Sequence, residues 1–245
     1  MNFCVDGLRY GPDLLVVAGM ATMPTRTNTF KAALRSILPQ VDKLYLFLDG
    51  FEVIPPEAQH EKIFVARSQD VGDLKANGKL YGLIQTRGIK AYYVCVDDDI
   101  LYPPDFVLIL REQLAKYKGR AVVGVHGSVL HSEVNTYRKD REVYHRRQAL
   151  ERDREVDVLG TDGILFRSDS LWFDVRKWGL TNMVDLHFAI ECERLGFKRI
   201  SVKRSNNWIK HLDQQQPDSI YVQLMKNDEQ QTRLAKELLS LSQSK

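Results

Sequence analysis

The sequence predicts a single α/β domain built on a doubly wound, mostly parallel sheet. Three observations support that fold class. The chain has 245 residues, a length at which α/β proteins often form one domain. Short apolar runs alternate with amphipathic stretches along most of it. These runs are mostly apolar on both faces, as expected of strands in a parallel sheet that helices cover on both sides.

Five apolar runs predict the strands of this sheet. They are Asp13–Gly19, Lys43–Leu48, Lys62–Ala66, Ala91–Val96 and Ala121–Val125. Because helical stretches lie between these runs, we expect crossover connections that leave neighbouring strands parallel.

Two helices are predicted between the strands. The first is Thr29–Leu38, for which Asn28 or Thr29 is a plausible N-cap and Pro39 a stop signal. The second is Pro104–Tyr117, which opens with proline and repeats apolar residues at helical spacing.

Two further helices are predicted in the last third of the chain. One follows Asp185 and ends at Gly196, and its apolar face is formed by Phe188, Ala189, Cys192 and Leu195. The other is a C-terminal helix over Asp218–Leu241, with an apolar stripe of Leu234, Leu238 and Leu241.

The stretch from His131 to Asp157, called the charged segment below, breaks this alternation. It carries seven basic and seven acidic side chains and few apolar residues to anchor it. Two interpretations stay open. One is a solvated helix or mobile loop, the usual role of a run of charges, and the other is a flap that grips an acceptor.

Composition excludes several classes of protein. Thirty-five Lys and Arg residues against thirty-two Asp and Glu leave a net charge of +3, too little for a protein that binds nucleic acid through its charge. The three cysteines lack a metal-ligand spacing and predict no disulfide framework, which is typical of a reducing compartment. No apolar run reaches the ~20 residues of a membrane span, and the N-terminus lacks a signal-peptide pattern. We therefore expect a cytoplasmic protein without a nucleic-acid partner.

The strongest chemical signal is the triplet Asp97-Asp98-Asp99, which directly follows the apolar run Ala91–Val96. Open parallel sheets have their ligand crevice at this end of the strands. Three adjacent carboxylates repel one another, and Mn²⁺ or Mg²⁺ removes the repulsion while linking them to the phosphates of a nucleotide. The alternative is an acidic loop that caps the next helix, although Asp105 could do so without the triplet.

The triplet resembles the Asp-x-Asp motif of the GT-A glycosyltransferases, which hold a nucleotide-sugar diphosphate through a divalent ion. More narrowly, the order and spacing of several segments resemble the bacterial α-N-acetylglucosaminyltransferase family of heparosan capsule synthesis. These segments cover most of residues 14–212 and include Ala18–Arg26, Gln40–Pro55, Asp97–Asp105, Val123–Gly127, Leu159–Thr161 and Val184–Asp185.

This resemblance implies one Rossmann-like GT-A domain with a mostly parallel central sheet and a C-terminal helix. In that arrangement residues 13–126 bind the nucleotide-sugar, residues 127–217 form the acceptor and catalytic half, and residues 218–245 carry the C-terminal helix.

The resemblance also implies donor-binding residues. Pro24 and Arg26 would support the base and neutralise phosphate, and structural turn residues are an equal alternative. Asp49 would accept a hydrogen bond from a uracil N–H, unless it is an ordinary surface-loop aspartate. Asp97 and Asp98 would lie on the nucleoside and donor-sugar side.

Near the transferred sugar, the resemblance implies a role for Gly160 and Thr161, whose backbone and hydroxyl would pack against it. The neighbouring Asp162 departs from the small residue expected at that position. Asp185 would stabilise positive charge beside the anomeric carbon or orient the acceptor hydroxyl, and its alternative role is a helix cap.

The metal is assigned by the same resemblance to Asp99, with Asp97 and His211 as further ligands. A lone histidine is more often a surface residue, which is the alternative for His211. Lys79 would steady the diphosphate as charge builds on it, and Lys75 is its rival in that role.

The function that follows from the resemblance is transfer of a sugar, N-acetylglucosamine first, from a UDP donor to a glycan acceptor with retention. A bacterial capsule or lipopolysaccharide and membrane-associated assembly proteins are the implied setting. The alternatives are an inverting GT-A enzyme, a sugar nucleotidyltransferase and a non-catalytic binding module. A nucleotidyltransferase normally needs a glycine-rich basic loop after the first strand, and Gly19–Pro24 has too few glycines for one.

Overall fold

The computed structural model describes residues 3–5, 8–10, 14–212 and 227–243, the first two ranges by their backbone only. The predicted strand start at Asp13, the boundary at 217 and the predicted helical residues 218–226 and 244–245 lie outside the described residues. No helix in the described part of the chain has both the length and the apolar character needed to cross a membrane.

The strands follow one another along the chain as β1 to β15. They are β1 Phe3–Val5, β2 Leu8–Tyr10, β3 Leu15–Thr22, β4 Lys43–Leu48, β5 Ile63–Arg67, β6 Ala91–Val96, β7 Ile100–Leu101, β8 Ala121–Gly124, β9 Gly127–Leu130, β10 Arg141–Tyr144, β11 Arg154–Glu155, β12 Val158–Leu159, β13 Gly163–Arg167, β14 Lys198–Ser201 and β15 Lys210–His211.

The helices are fewer and lie mostly between the strands of the central sheet. They are α1 Thr27–Ile37, α2 Ser68–Val71, α3 Tyr81–Gln85, α4 Phe106–Ala115, α5 Val184–Leu195 and α6 Glu229–Gln243. Short 3₁₀ turns occur at Pro24–Arg26, Leu38–Gln40, Pro56–Ala58, Lys75–Leu80 and Val175–Lys177.

The central sheet confirms the predicted fold class. Among the described residues it has eight strands in the order β11-β14-β8-β13-β6-β3-β4-β5. The four neighbouring strands β6, β3, β4 and β5 are parallel, as are β8 and β14, while β13 and β11 run antiparallel to their neighbours. As a result, β6, β3 and β4 end at the same edge, where Asp97, Thr22 and Asp49 follow one another across the sheet.

The predicted strands Lys43–Leu48 and Ala91–Val96 are confirmed with their boundaries. β3 continues to Thr22, beyond the predicted end at Gly19, because Met20 pairs with Val96 and Thr22 pairs with Leu48. The other two strands are confirmed with boundaries shifted by one residue. Apolar clusters cover both faces of the sheet, which explains why these runs lack alternation.

The predicted cap of the first helix is wrong, and that of the second has the predicted position but no side-chain hydrogen bond. α1 begins at Thr27 directly after the 3₁₀ turn, and the Thr29 hydroxyl donates back to the Arg26 carbonyl at 3.1 Å instead of capping. In α4 the N-cap position belongs to Asp105, whose side chain makes no capping hydrogen bond. α1 starts where the preceding 3₁₀ turn ends, so a local capping pattern could not locate it.

α5 confirms the predicted helix that ends at Gly196, which adopts a left-handed φ of 74°. On the outer side of α5 lies the C-terminal helix α6, whose residues Leu234 and Leu238 are buried and Leu241 partly buried, as the predicted stripe requires. The described part of this helix begins only at Glu229.

The charged segment contains no helix, so its helical interpretation is wrong. Residues Arg141–Tyr144 form β10, which pairs with β9, and β9 also pairs with β12. Pairing between strands that are distant in sequence therefore determines the structure of this segment, although its local pattern indicates a solvated surface. This small sheet lies beside the edge at which the central strands end.

Candidate active site

The triplet Asp97–Asp99, called the acidic turn below, connects the buried strand β6 to β7. A backbone network fixes its shape: the Asp97 N–H donates to the Tyr102 hydroxyl at 2.8 Å, and that hydroxyl donates to the Asp162 carbonyl at 2.7 Å. Tyr102 is buried. The acidic turn is therefore tied to the loop before β13, which carries Thr161 and Asp162.

Asp97 forms an ion pair with Lys79, whose side chain is only 7% exposed. Burial alone would lower the pKa of Lys79, but the carboxylates of Asp97 and Asp185 raise it above its usual value. Lys79 lies on a 3₁₀ turn that packs directly against β3 at Gly19. A Cβ at Gly19 would lie 1.9 Å from the Lys79 carbonyl oxygen, so the close approach needs glycine there.

Asp99 faces His211 and Arg26. Its Oδ2 lies 3.5 Å from His211 Nε2 and 3.8 Å from an Arg26 guanidinium nitrogen. Pairing of β15 with β7 sets His211 opposite Ile100, and the Leu212 N–H donates to the Asp99 carbonyl at 2.8 Å. Backbone pairing thus brings together the predicted metal residues Asp99 and His211, which are 112 positions apart in the sequence.

Burial and mutual repulsion disfavour the charged form of two carboxylates in the acidic turn, Asp98 and Asp99. Burial, together with the neighbouring Asp99 and Asp97, raises the pKa of Asp98 to about 7, while Thr22 and Arg26 act in the opposite direction. Burial and Asp97 also raise the pKa of Asp99, although His211, Arg146 and Arg26 lower it. Removing two charged carboxylates from water beside a third is unfavourable unless a cation joins them.

Asp185 lies on the first turn of α5 and does not serve as its N-cap, a position that Met183 occupies. Its Oδ1 accepts hydrogen bonds from the Thr161 N–H at 2.8 Å and from the Thr161 hydroxyl at 2.6 Å. The adjacent Gly160 donates its N–H to the His126 carbonyl at 2.8 Å. Asp185, Thr161 and Lys79 therefore belong to one network with the acidic turn.

A second group of predicted residues surrounds a surface pocket of about 430 Å³ at the end of β4. Asp49 is buried at its wall and lies 3.6 Å from the ammonium of Lys75. Burial raises the pKa of Asp49, partly offset by Lys75. Lys75 contacts Asp49 and Asp73, whereas Lys79 contacts Asp97, so the two rival lysines serve different carboxylates. Pro24 is exposed and belongs to neither group.

Sequence reasoning missed three side chains of the site. Asp162 is buried, forms an ion pair with Arg146 and lies 3.4 Å from Nδ1 of His126. Burial would raise the pKa of Asp162, but Arg146 and His126 hold it far below its usual range. The one signal available was that Asp162 replaces an expected small residue. Nothing in the sequence singled out Arg146 from the other cations of the charged segment.

The donor atoms of Asp99 and His211 fit a hard divalent cation. Two neighbouring ligands of an octahedral ion lie about 3 Å apart when each bond is about 2.1 Å. The observed 3.5 Å between Asp99 Oδ2 and His211 Nε2 is close to that separation. Within the described ranges, no three His, Cys, Asp or Glu side chains are grouped to hold an ion by themselves. Such an ion would need further ligands, which a diphosphate supplies.

Comparison with known proteins finds a solved structure of similar fold but no match in sequence. No protein-family model and no curated protein matches the chain. A solved structure with a similar fold is GalNAc-T7 with UDP, GalNAc and Mn²⁺, at a TM-score of 0.55 and 9% sequence identity. The match covers 94% of this chain and 55% of GalNAc-T7, so the chain spans about half the length of that protein. This likeness confirms the predicted GT-A fold.

Proposed function

We propose that the chain is a metal-dependent glycosyltransferase that transfers a sugar from a UDP-sugar to a glycan acceptor. The observation that supports this most is the charge imbalance of the site. Within the described part of the chain, five aspartates face three permanent cations, and a fourth cation, Arg204, acts on Asp162 only. The aspartates are Asp97, Asp98, Asp99, Asp162 and Asp185, and the three cations are Arg26, Lys79 and Arg146. One divalent cation would neutralise the excess.

Asp99 and His211 would hold this cation, and the diphosphate of the donor would complete its coordination. Bound there, Mn²⁺ or Mg²⁺ would stabilise the negative charge that develops on the departing UDP. Arg26 is 3.8 Å from Asp99 and would lie beside the phosphates. Asp97, held by Lys79, would lie with Asp98 on the side of the ribose and the donor sugar. The UDP and Mn²⁺ of the GalNAc-T7 structure support this choice of ligands.

The pocket at Asp49 would receive the uracil base. The buried carboxylate of Asp49 can accept a hydrogen bond from the uracil N–H, and Lys75 at 3.6 Å favours its charged form. Cytosine carries an acceptor in place of that N–H, so the site would favour uracil. The 430 Å³ of the pocket is enough for a pyrimidine.

We assign transfer with retention, in which Asp185 stabilises positive charge on the sugar. Two donors from Thr161 hold Oδ1 of Asp185, which suits a fixed anion better than a base that must receive a proton. The leaving phosphate would accept the proton of the acceptor hydroxyl as its bond to the sugar breaks. Lys79 lies close to both Asp97 and Asp185 and would stabilise the charge separation.

For the donor sugar we propose N-acetylglucosamine, with a bacterial surface polysaccharide as the acceptor and membrane-associated assembly proteins as partners. These three assignments rest on the sequence resemblance alone. Donor release assays across UDP-, GDP- and CMP-sugars would test them, with Mn²⁺ or with a chelator, followed by proton NMR of the product. We expect UDP-N-acetylglucosamine to be used with Mn²⁺ and to give an α-glycoside. A GDP- or CMP-sugar preference would contradict the donor, and a β-linked product would identify Asp185 as the base of an inverting enzyme.

A further inference from the structure

We propose that Arg146 binds the diphosphate of the donor as a second protein cation and that Asp162 holds its guanidinium in place. This inference rests on the proposed function and identifies a residue of that site outside the resemblance. It also assigns a role to the charged segment.

The backbone around Arg146 is fixed to the body of the protein. The buried guanidinium of Arg204 donates to the carbonyls of Tyr144 and His145 at 3.1 and 3.0 Å. On the other side of Arg146, the Ala149 N–H donates to the Asn206 side chain at 2.7 Å. Arg146 is thus presented from a clamped loop and not from a freely moving flap.

The side chain of Arg146 points from this loop into the site and is 15% exposed. Burial alone would lower the pKa of Arg146, but Asp162 and, farther away, Asp97 and Asp99 raise it. In the described part of the chain, Arg146 forms an ion pair with Asp162 and with none of the three carboxylates of the acidic turn. Its charge therefore acts on the acidic turn across a gap, at the place where the diphosphate would bind.

The chemistry of the guanidinium suits this position. It carries five N–H donors in a planar fork, and one carboxylate accepts at most two of them in a bidentate pair. The remaining donors of Arg146 can bind phosphate oxygens without breaking the pair with Asp162. Lys79 is less available for this purpose because its ammonium is paired with Asp97. Asp162 is then a positioning residue, and Arg146 the residue that touches the donor.

Calorimetric titration of UDP and of UMP in the presence of Mn²⁺ tests this assignment, because the two nucleotides differ by the outer phosphate. We expect Arg146→Met to weaken UDP binding by roughly 10- to 100-fold, the usual effect of charged hydrogen bonds. UMP binding should change by less than about 3-fold, and Arg146→Lys should recover part of the loss. Arg147→Met, an exposed neighbour, is the matched control and should bind both nucleotides like the parent.

Loss of Arg146 leaves Asp162 buried without its main cation, so thermal unfolding is measured on every variant. The double variant Arg146→Met with Asp162→Asn removes that buried charge and should show the same selective loss of UDP binding. An unchanged ratio of UDP to UMP affinity in both Arg146→Met variants would overturn the inference while leaving the proposed function intact. A parent protein that binds neither nucleotide with Mn²⁺ would overturn both.

Discussion

The acidic turn and the charged segment are both dense in carboxylates, yet their carboxylates experience opposite environments. In the charged segment, Asp140 accepts the backbone N–H groups of Asn135 and Thr136 at 2.7 and 2.8 Å, which lowers its pKa. In the acidic turn, burial and like charges raise the pKa of Asp98 to about 7. A carboxylate that accepts hydrogen bonds from the backbone has a structural role. A buried carboxylate whose charged form is disfavoured indicates a site that binds a ligand.

Other acids of the charged segment follow the pattern of Asp140. Asp157 accepts the Leu130 N–H at 2.7 Å, Asp153 accepts the Lys203 N–H at 2.8 Å, and Glu155 pairs with Lys198. The first contact closes the loop at the end of β9, and the other two hold the region of β11 against β14. Arg146 is the member of the segment that instead faces the acidic turn, which is why we place it in the site.

The largest expected effect separates a carboxylate of the site from a carboxylate that only supports a turn. Asp185→Asn should lower kcat for sugar transfer by roughly 10²- to 10³-fold, because charge stabilisation in the transition state is lost. Asp174→Asn should leave kcat within about 3-fold, since Asp174 caps the turn Val175–Lys177 by accepting the Arg176 N–H and pairs with the guanidinium of the same residue at 2.8 Å, with no contact to the acidic turn as far as the chain is described. Steady-state kinetics on both variants measures this contrast. A near-normal kcat for Asp185→Asn would return that residue to a structural role at the start of α5.

A smaller effect is expected at the pocket of Asp49. Asp49→Ala should raise the KM for the UDP-sugar by roughly 10-fold, because a charged acceptor for the uracil N–H is removed. Asp73→Ala is the matched control, since Asp73 lines the same pocket and also pairs with Lys75 but is exposed. Equal KM values for the two variants would exclude Asp49 from base recognition.

The smallest expected effect is a pH dependence of stability at His145, on the loop that presents Arg146. Burial, together with repulsion from His126, Arg146 and Arg147, lowers the pKa of His145 to about 4, while Asp162 acts in the opposite direction. The unfolded chain, in which histidine titrates near pH 6.5, therefore binds a proton first as the pH falls. This residue's contribution to the free energy of unfolding should be lost between about pH 6.5 and pH 4.

Denaturant unfolding of the parent and of His145→Gln across that pH range measures the contribution of His145. The parent should lose more stability than the variant as the pH falls. Parallel curves would show that His145 is solvated and that the loop is less tightly packed than the contacts of Arg204 indicate.

Local pattern was sufficient for the central strands and for the acidic turn. Lys43–Leu48 and Ala91–Val96 are apolar on both faces because both faces are buried, and the carboxylates follow directly at the strand end. Local pattern failed where partners are distant in sequence. β10 exists because it pairs with β9, and α1 starts at Thr27 because the 3₁₀ turn Pro24–Arg26 ends there.

The site shows the same division between local and distant information. The acidic turn was predicted from its residues and its place after a strand, and Lys79, Asp185 and His211 from the resemblance to the GT-A glycosyltransferases. The pair of Asp162 and Arg146 was missed, because it joins two loops that only the folded sheet brings together. The sequence also did not indicate that Arg204, from another part of the chain, holds this loop by hydrogen bonds to its backbone carbonyls.

The central claim is that the acidic turn binds a divalent cation together with UDP. Calorimetric titration of UDP into the parent and into Asp99→Ala, each with and without Mn²⁺, tests it most directly, with Asp140→Ala as the control from the charged segment. We predict tight binding only for the parent and the control in the presence of Mn²⁺, with a loss of at least about 10-fold when either Asp99 or the ion is removed. Equal UDP affinity for the parent and Asp99→Ala, with and without the ion, would contradict the account.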